Sequence, residues 1–129
     1  MGSIFSKIIS GEIPSFKIYE DDNFLAFLDI NPNVLGHTLC IPKKEMDQIF
    51  DLDDKTLSEL IIFSKKVANA IKKAVVCERV GMSVIGLEVP HVHVHLIPIN
   101  NMNDMSFDTK INMTDSQFIE TMNKIKSYI

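Results

Sequence analysis

His91-Val92-His93-Val94-His95-Leu96-Ile97 alternates histidine with aliphatic residues, and it holds three of the four histidines in the 129-residue chain. Alternate side chains of a β-strand share one face, so this period predicts a strand, Val92 to Ile97, with the three imidazoles on one side and about 7 Å between neighbours. Val92, Val94 and Leu96 then point to the other side and anchor the strand in the core. The stretch therefore predicts a rigid sheet that carries a row of titratable groups, which suits a preorganised site.

Imidazoles in this pattern support two kinds of chemistry, and the residues alone leave both open. Zinc accepts three histidine ligands and keeps one coordination position for a substrate. Alternatively, one imidazole attacks phosphorus while its neighbours fix its tautomer and handle protons, since neutral histidine offers a nucleophilic nitrogen near pH 7. A half-exposed strand whose polar face is histidine without a function is the least favoured interpretation, because three of four histidines alternate strictly.

The rest of the chain predicts further strands gathered around one long helix. Helical spacing of apolar residues from Leu57 to Val75 marks the longest element, and Asp53 or Asp54 can cap its start. The other predicted elements are a helix Ile4–Ser10 that Ser3 can cap, a hairpin of Phe16–Glu20 and Phe24–Leu28, strands His37–Ile41 and Val80–Ile85, a loop from Asn100 to Met113, and a helix from Thr114 to about Ser127 that begins with a capping-box pair, Thr114 and Gln117. Because repeated βαβ units are missing, we predict one α+β domain over residues 1–129, a mainly antiparallel sheet with one long helix and short terminal helices.

Composition limits the partners of the chain. Its net charge of -4 argues against a nucleic-acid surface, which usually carries a basic patch. No apolar run reaches the roughly 18 residues that a membrane span needs. The two cysteines, Cys40 and Cys77, form neither a metal-spaced pair nor a disulfide framework. We therefore expect a cytoplasmic protein with reduced thiols that binds neither nucleic acid nor membrane.

The histidine stretch matches the signature of the histidine-triad (HIT) family, in which hydrophobic residues separate three histidines and two more follow. The chain is also similar to that family in its opening, Ile4–Pro14, and in its middle, Phe27–Pro32 and Gly36–Lys44. These segments stand in the family's order, cover most of the stretch from Ile4 to Pro98, and favour the bacterial, Hint-like branch. The resemblance implies a HIT-like domain, a homodimer, and a pocket for a purine nucleotide beside the histidine strand.

The resemblance also implies a role for each histidine. His93 would attack the α-phosphorus and form a nucleotidyl-histidine intermediate, without a metal or other cofactor. His91 would hold the tautomer and orientation of the site. His95 would contact the phosphate or bridging group and help protonate the leaving group. His37 matches the family's fourth histidine near the active site, and an incidental histidine at a strand start is the alternative for it.

Further positions match the family's nucleotide pocket. Asp29 corresponds to the acidic residue that holds the ribose hydroxyls, which suits a carboxylate because it can accept two hydrogen bonds from a vicinal diol. From the sequence alone, a turn residue before Asn31-Pro32 is the simpler interpretation of Asp29. The positions that match the wall of the base pocket are Ile4, Phe5, Ile8, Phe27 and Ile30. Ordinary core residues are the alternative for these five, and an apolar slot would stack a purine with little discrimination between bases.

The loop before the histidines departs from the family's pattern. Ser83–Pro90 is short and holds no asparagine or glutamine. Leu87 and Glu88 stand where polar side chains that clamp phosphate are expected, while Gly86 corresponds to a loop glycine whose backbone approaches phosphate. Glu88 is a candidate nucleotide-binding residue by its position, and it could act on an incoming water or on a cationic amine leaving group. Solvent exposure or a structural hydrogen bond is the favoured interpretation, because an ionised carboxylate beside a phosphate weakens binding.

The leading hypothesis is a nucleotide-phosphate hydrolase or transferase, of the purine nucleoside phosphoramidase or dinucleoside polyphosphate hydrolase type, that acts through His93. Relatives with a structural zinc have a cysteine pair where this chain has Ser3 and Ser6, so we predict no structural metal. Two alternatives remain. One is a zinc-dependent hydrolase that uses the histidine cluster as ligands, and the other is a nucleotide-binding regulatory module with residual catalysis, which the missing phosphate-loop side chains suggest.

Overall fold

The computed structural model describes residues 2–129 and has a five-stranded antiparallel sheet with helices on both faces. The strands are β1 (Lys17–Glu20), β2 (Phe24–Leu28), β3 (Thr38–Pro42), β4 (Arg79–Ser83) and β5 (Val94–Ile99), arranged in the order β1-β2-β3-β5-β4. The helices are α1 (Ile4–Ile9), α2 (Asp54–Ala74) and α3 (Asp115–Lys126), with 3-10 turns at Ile49–Asp51 and Met102–Met105. The predicted α+β class is confirmed.

Strand β2 is buried along its whole length because both faces of the sheet are covered. Phe24, Ala26 and Leu28 belong to the larger core cluster, which the apolar face of α2 completes. Leu25 and Phe27 point the other way, into a smaller cluster that also contains residues of α1 and β3. Alternation along a strand thus divides a continuous apolar run between two cores.

The long helix α2 forms because its apolar residues recur at helical spacing between clear end signals. Asp53 caps its start by accepting a hydrogen bond from the Thr56 N–H at 2.7 Å. Its buried face consists of Leu60, Phe63, Ser64, Val67, Ala70, Ile71 and Ala74. The opposite face carries charged residues, so α2 covers one side of the sheet with its apolar face and leaves the other side to α1. Among residues 2–129 no helix is both long and apolar enough to cross a membrane.

The histidine strand begins two residues later than predicted. Strand β5 starts at Val94 and pairs with Cys40 there, so His91, Val92 and His93 precede it. Continuing this register places Ile41 opposite His93 and Pro42 opposite Val92, and Pro42 has no N–H to donate. The Val92 N–H instead donates to the Met46 carbonyl oxygen at 2.7 Å. Proline thus ends the ladder before it reaches the first two histidines.

Alternation of side chains continues through this stretch even though the ladder stops. Val92 and Val94 lie in the larger core cluster, whereas His91 and His93 both contact the ring of Phe5 on α1. The predicted spacing of about 7 Å is nevertheless wrong for the rings themselves, because the centroids of His93 and His95 are 4.8 Å apart. The imidazoles converge on one another.

The segment after β5 is more ordered than the predicted loop. Residues Met102–Met105 form a 3-10 turn inside the stretch from Asn100 to Met113. Asn101 accepts a hydrogen bond from the Asp104 N–H, and the Asp104 side chain accepts one from the Asn101 N–H. This capping box spans too few residues to produce a periodic pattern, so the expectation of an unstructured loop is wrong for this part.

Candidate active site

All four histidines meet on the face of the sheet that carries α1. The ring centroids of His37 and His95 are 5.2 Å apart, and His93 lies 4.8 Å from His95. His37 and His91 retain 1% and 0% of their surface, whereas His93 and His95 retain 7% each. The cluster therefore has two enclosed imidazoles that support two slightly more accessible ones.

Two backbone carbonyls assign the tautomers of His91 and His93. The carbonyl oxygen of Pro42 lies 2.8 Å from Nε2 of His91, and that of His91 lies 2.7 Å from Nδ1 of His93. Since a carbonyl oxygen only accepts, each of these nitrogens carries a proton and donates it. A neutral His93 ring therefore has a free lone pair on Nε2, as a nucleophile requires.

A second hydrogen-bond chain assigns His37 and His95. The Asn33 N–H donates to Nδ1 of His37 at 3.0 Å, so the proton of the neutral His37 ring is on Nε2. That Nε2–H donates to Nδ1 of His95 at 2.9 Å. The neutral His95 ring then carries its own proton on Nε2, which leaves a donor for a substrate oxygen.

Burial keeps three of the four imidazoles neutral. Burial, with positive charge on neighbouring histidines and Lys110, lowers the pKa of His37 to about 3. Burial, with the charges of His93 and Lys110, lowers the pKa of His95 to about 4. Burial also lowers the pKa of His91, although the Pro42 carbonyl and a nearby carboxylate favour its charged form. At neutral pH these rings are in the uncharged state that the assigned tautomers require.

Asp29 lies beside His37, with its Oδ2 atom 3.6 Å from Nε2 of that histidine. Its Oδ1 atom accepts a hydrogen bond from the Asn31 N–H at 2.9 Å, as a turn residue would. Burial raises the pKa of the Asp29 carboxyl, although the Asn31 N–H and the charge of Lys110 oppose the rise. The turn uses one carboxylate oxygen, so the other remains available to a ligand.

Asp29, His37 and His95 bring one possible metal-ligating atom each within 4.8 Å of one another. Their hydrogen bonds do not suit a cation. Nδ1 of His37 accepts the Asn33 N–H, so Nε2 keeps its proton and has no lone pair for a metal. A metal bound through Nε2 would force the proton onto Nδ1, where it would point at the Asn33 N–H, which is also a donor. The donor set disfavours a metal at this position.

The apolar positions matched to the base pocket fall into two groups. Phe5, Ile8 and Phe27 are buried in the smaller core cluster, and the Phe5 ring packs against His93 with 4.9 Å between centroids. Ile4 and Ile30 are exposed, with 48% and 71% of their surface accessible. The buried three support the histidine cluster, and the exposed two keep apolar surface that a ligand can contact.

Gly86 and Glu88 lie in the irregular segment between β4 and β5. Gly86 has a φ of +75°, a left-handed conformation that favours glycine, and a Cβ atom there would meet nothing within 4 Å. The conformation of the turn, and not close packing, therefore requires glycine. Glu88 is exposed, and its charge contributes to the raised pKa of Asp29.

Sequence reasoning did not identify the segment that closes the site beside His95. The Phe107 ring lies 4.8 Å from the His95 ring, and the Lys110 Nζ atom lies 4.9 Å from the centre of the Phe107 ring. Lys110 also donates to Oδ1 of Asn33 at 2.8 Å, while the Asn33 backbone holds His37. Residues of the segment after β5 thus support two histidines, a tertiary contact that no local pattern signals.

We expect the free energy of unfolding to fall as the pH is lowered from 6.5 toward about 5. His37, His91 and His95 have lowered pKa values in the folded protein, against 6.5 in an unfolded chain, so folding disfavours their protonation. The stability that they contribute is present above pH 6.5 and is lost as the pH falls, by up to about 1.4 kcal/mol per pH unit for each ring. Asp29, whose pKa is raised, offsets part of this loss.

Urea unfolding at a series of pH values tests this expectation. The variant His37→Gln cannot titrate at that position, so its stability should vary less steeply with pH than that of the unmodified protein. Equal slopes for the two proteins, or a stability that increases toward pH 5, would contradict the assignment of a neutral, buried His37.

Comparison with known proteins gives the chain a family. Residues 10–102, which include all four histidines, match the HIT domain. An uncharacterised HIT-like protein of Borreliella burgdorferi is 38% identical over 98% of this chain and 97% of its own length. An adenosine 5′-monophosphoramidase of Saccharomyces cerevisiae is 43% identical over 74% of this chain and 61% of its own. The crystal structure of a Hit-like protein from Bartonella henselae matches with a TM-score of 0.86 and 35% identity, over 98% of this chain and 96% of that one. The chain therefore belongs to the histidine-triad (HIT) family.

Proposed function

We propose that the protein is a nucleotide hydrolase or transferase that acts on a purine nucleoside phosphoramidate or a dinucleoside polyphosphate through a covalent bond to His93. The hydrogen bond of 2.7 Å from Nδ1 of His93 to the His91 carbonyl oxygen carries the proposal. In the neutral ring this hydrogen bond places the lone pair on Nε2, so the nucleophile needs no separate base to activate it. Relatives named adenosine 5′-monophosphoramidase, in Saccharomyces cerevisiae and Schizosaccharomyces pombe, support the substrate class.

In the first step, the Nε2 lone pair of His93 forms a bond to the α-phosphorus while the bond to the leaving group breaks. The adduct ring becomes cationic, and its Nδ1–H keeps the His91 carbonyl oxygen as an acceptor, which stabilises the positive charge. The Nε2–H of His95 donates a hydrogen bond to a phosphate oxygen or to the leaving atom. When the leaving group is an amine whose nitrogen is protonated in the bound substrate, it departs as the neutral amine and takes the electrons of the broken phosphorus–nitrogen bond.

In the second step, water attacks the phosphorus of the adduct. The phosphorus–nitrogen bond breaks, its electrons return to Nε2 of His93, and the nucleoside monophosphate leaves while one proton passes to solvent. No step needs a metal, because the nucleophile is a neutral lone pair and the adduct is itself reactive. We therefore propose a metal-independent enzyme.

Side chains beside the histidine cluster would bind the nucleoside. We assign Oδ2 of Asp29 to the ribose hydroxyls, since the turn hydrogen bond occupies only Oδ1. The exposed side chains of Ile4 and Ile30 offer apolar surface for the base. Such a surface accepts a purine by stacking but makes few hydrogen bonds to it, so we expect little discrimination between purines.

We also infer that the protein is a homodimer. Strand β4 is at the edge of the sheet, and within residues 2–129 its outer side has no partner strand. Met82 on this strand is 46% exposed, and Ile85 and Leu87 just after it are 50% and 90% exposed. An unpaired strand edge beside exposed apolar side chains favours association with a second chain.

The rate of AMP release from adenosine 5′-phosphoramidate, measured with EDTA present, tests the catalytic proposal. Removing the covalent nucleophile in His93→Ala should lower the rate on the order of a thousandfold or more. Circular dichroism should show that the variant remains folded. An unchanged rate in this variant would overturn the proposal. Activity that returns only with added zinc would support the zinc-dependent alternative, and tight purine nucleotide binding with negligible turnover would support the binding module.

Sedimentation velocity tests the dimer. The unmodified protein should sediment with twice the mass of the chain, and Met82→Lys, which places a charge at the strand edge, should shift it toward the monomer. Ile119→Lys is the matched control because Ile119 is also 46% exposed and lies on α3, which packs beside β1 at the opposite edge of the sheet. A monomeric unmodified protein, or equal effects of the two substitutions, would refute an interface at β4.

A further inference from the structure

We propose that Ser3 and Glu45 are positioning residues that hold the His91 ring and, through the carbonyl group of His91, orient the nucleophile His93. The proposal rests on the attack by His93 proposed above. It gives the chain segment just before α1 a role in the chemistry, in addition to the helix cap that the sequence predicts.

Ser3 holds the one nitrogen of His91 that the backbone leaves free. Its Oγ atom is 2.8 Å from Nδ1 of His91, whose ring is completely buried. Because Nε2 of that ring carries the proton and donates to the Pro42 carbonyl, Nδ1 of the neutral ring has a lone pair and accepts from the Ser3 hydroxyl. Both nitrogens of His91 therefore have fixed partners, and the ring can neither rotate nor change tautomer without losing one.

Glu45 holds Ser3 in place. The Ser3 N–H and the Ser6 hydroxyl donate to the same Glu45 oxygen, Oε1, at 2.6 and 2.7 Å. The Ser6 N–H also donates to the Ser3 Oγ atom at 3.2 Å, which makes Ser3 the cap of α1. These hydrogen bonds, with that of the Ser3 N–H first, lower the pKa of Glu45, so its carboxylate is ionised at neutral pH. Hydrogen bonds to an ionised acceptor are stronger than those between neutral groups.

The chain segment that carries Glu45 also fixes the backbone beside His91. The Met46 carbonyl oxygen, next in sequence to Glu45, accepts from the Val92 N–H at 2.7 Å. The His91 carbonyl group lies in the chain between the His91 ring and the Val92 N–H, both of which have fixed partners. It accepts from Nδ1 of His93 at 2.7 Å. A displaced His91 ring would therefore displace the acceptor that sets the tautomer of His93. Ser3 would therefore act on His93 through His91 alone and would not need to contact the substrate.

The substitution Ser3→Gly separates this role from capping. Glycine at the first cap position costs only a few tenths of a kcal/mol relative to serine, but it has no hydroxyl to donate. We expect Ser3→Gly to lower kcat about tenfold with little change in KM, since small misplacements of a reacting group have effects of this size or larger. Ser3→Thr keeps the hydroxyl and should restore kcat. Thr114→Gly, which removes the corresponding cap of α3, is the matched control and should leave kcat unchanged.

Glu45 supplies a second, independent variant. Glu45→Ala removes the acceptor for both serines and should lower kcat as Ser3→Gly does, whereas Glu45→Gln keeps an acceptor oxygen and should lower it less. If both Ser3→Gly and Glu45→Ala reduce kcat, the combined variant should lose less than the product of the two effects, because they act on one hydrogen-bond network.

Nitrogen NMR of the histidine rings distinguishes failure of this proposal from failure of the proposed activity. In the unmodified protein, Nδ1 of His91 should resonate as a hydrogen-bonded acceptor, and in Ser3→Gly it should move toward the position of a free one. An unmoved His91 signal, or an unchanged kcat in Ser3→Gly, would overturn the positioning role. A His91 signal that moves as expected in a protein without turnover would instead refute the proposed activity.

Discussion

The hydrogen bond from Nδ1 of His93 to the His91 carbonyl oxygen is the interaction on which the account of this protein depends. It determines which nitrogen of His93 carries a proton, and it does so with a backbone group whose position the fold controls. A side-chain partner could change its own protonation, whereas a carbonyl accepts at every pH. The proposed nucleophile is therefore oriented by a backbone group and not by a second side chain.

The fold supplies this carbonyl by ending a β-ladder early. Strand β3 stops pairing with β5 after Cys40, because Pro42, which the register places opposite Val92, has no N–H to donate there. His91 and His93 consequently lie just outside the sheet, where the Pro42 carbonyl contacts one ring and α1 packs Phe5 against both. Valines on the opposite side keep the stretch anchored in the larger core. The histidines are thus firmly attached to the sheet while their backbone groups are free for other partners.

Local patterns in the sequence predicted most of the helices and strands and grouped three of the histidines, whereas His37 and Asp29 were matched only through the family resemblance. The alternation from His91 to His95 correctly separated the valines of the core from the histidines, and the spacing from Leu57 to Val75 located α2. Thr114 and Gln117 predicted the capping box of α3, which the structure confirms. These features need only residues that are near in sequence, so the sequence is sufficient for them.

The contacts that arrange the site join distant parts of the chain, and no local pattern reveals them. Ser3 meets His91 across 88 positions, and Lys110 meets Asn33 across 77. Ser3 was predicted only as a cap, since serine before a helix has that role whatever else it contacts. The early end of the ladder was missed as well, because the effect of Pro42 depends on which strand lies beside it. Tertiary pairing, and not residue type, determines these details.

Trapping the nucleotidyl intermediate and identifying the residue that carries it tests the proposed mechanism most directly. Protein mixed with adenosine 5′-phosphoramidate would be quenched within the first turnovers, digested under conditions that preserve phosphoimidazole bonds, and analysed by mass spectrometry. We expect one AMP group, attached to His93 and absent from His93→Ala. Turnover without an adduct, or an adduct on His95 or His91, would contradict this mechanism.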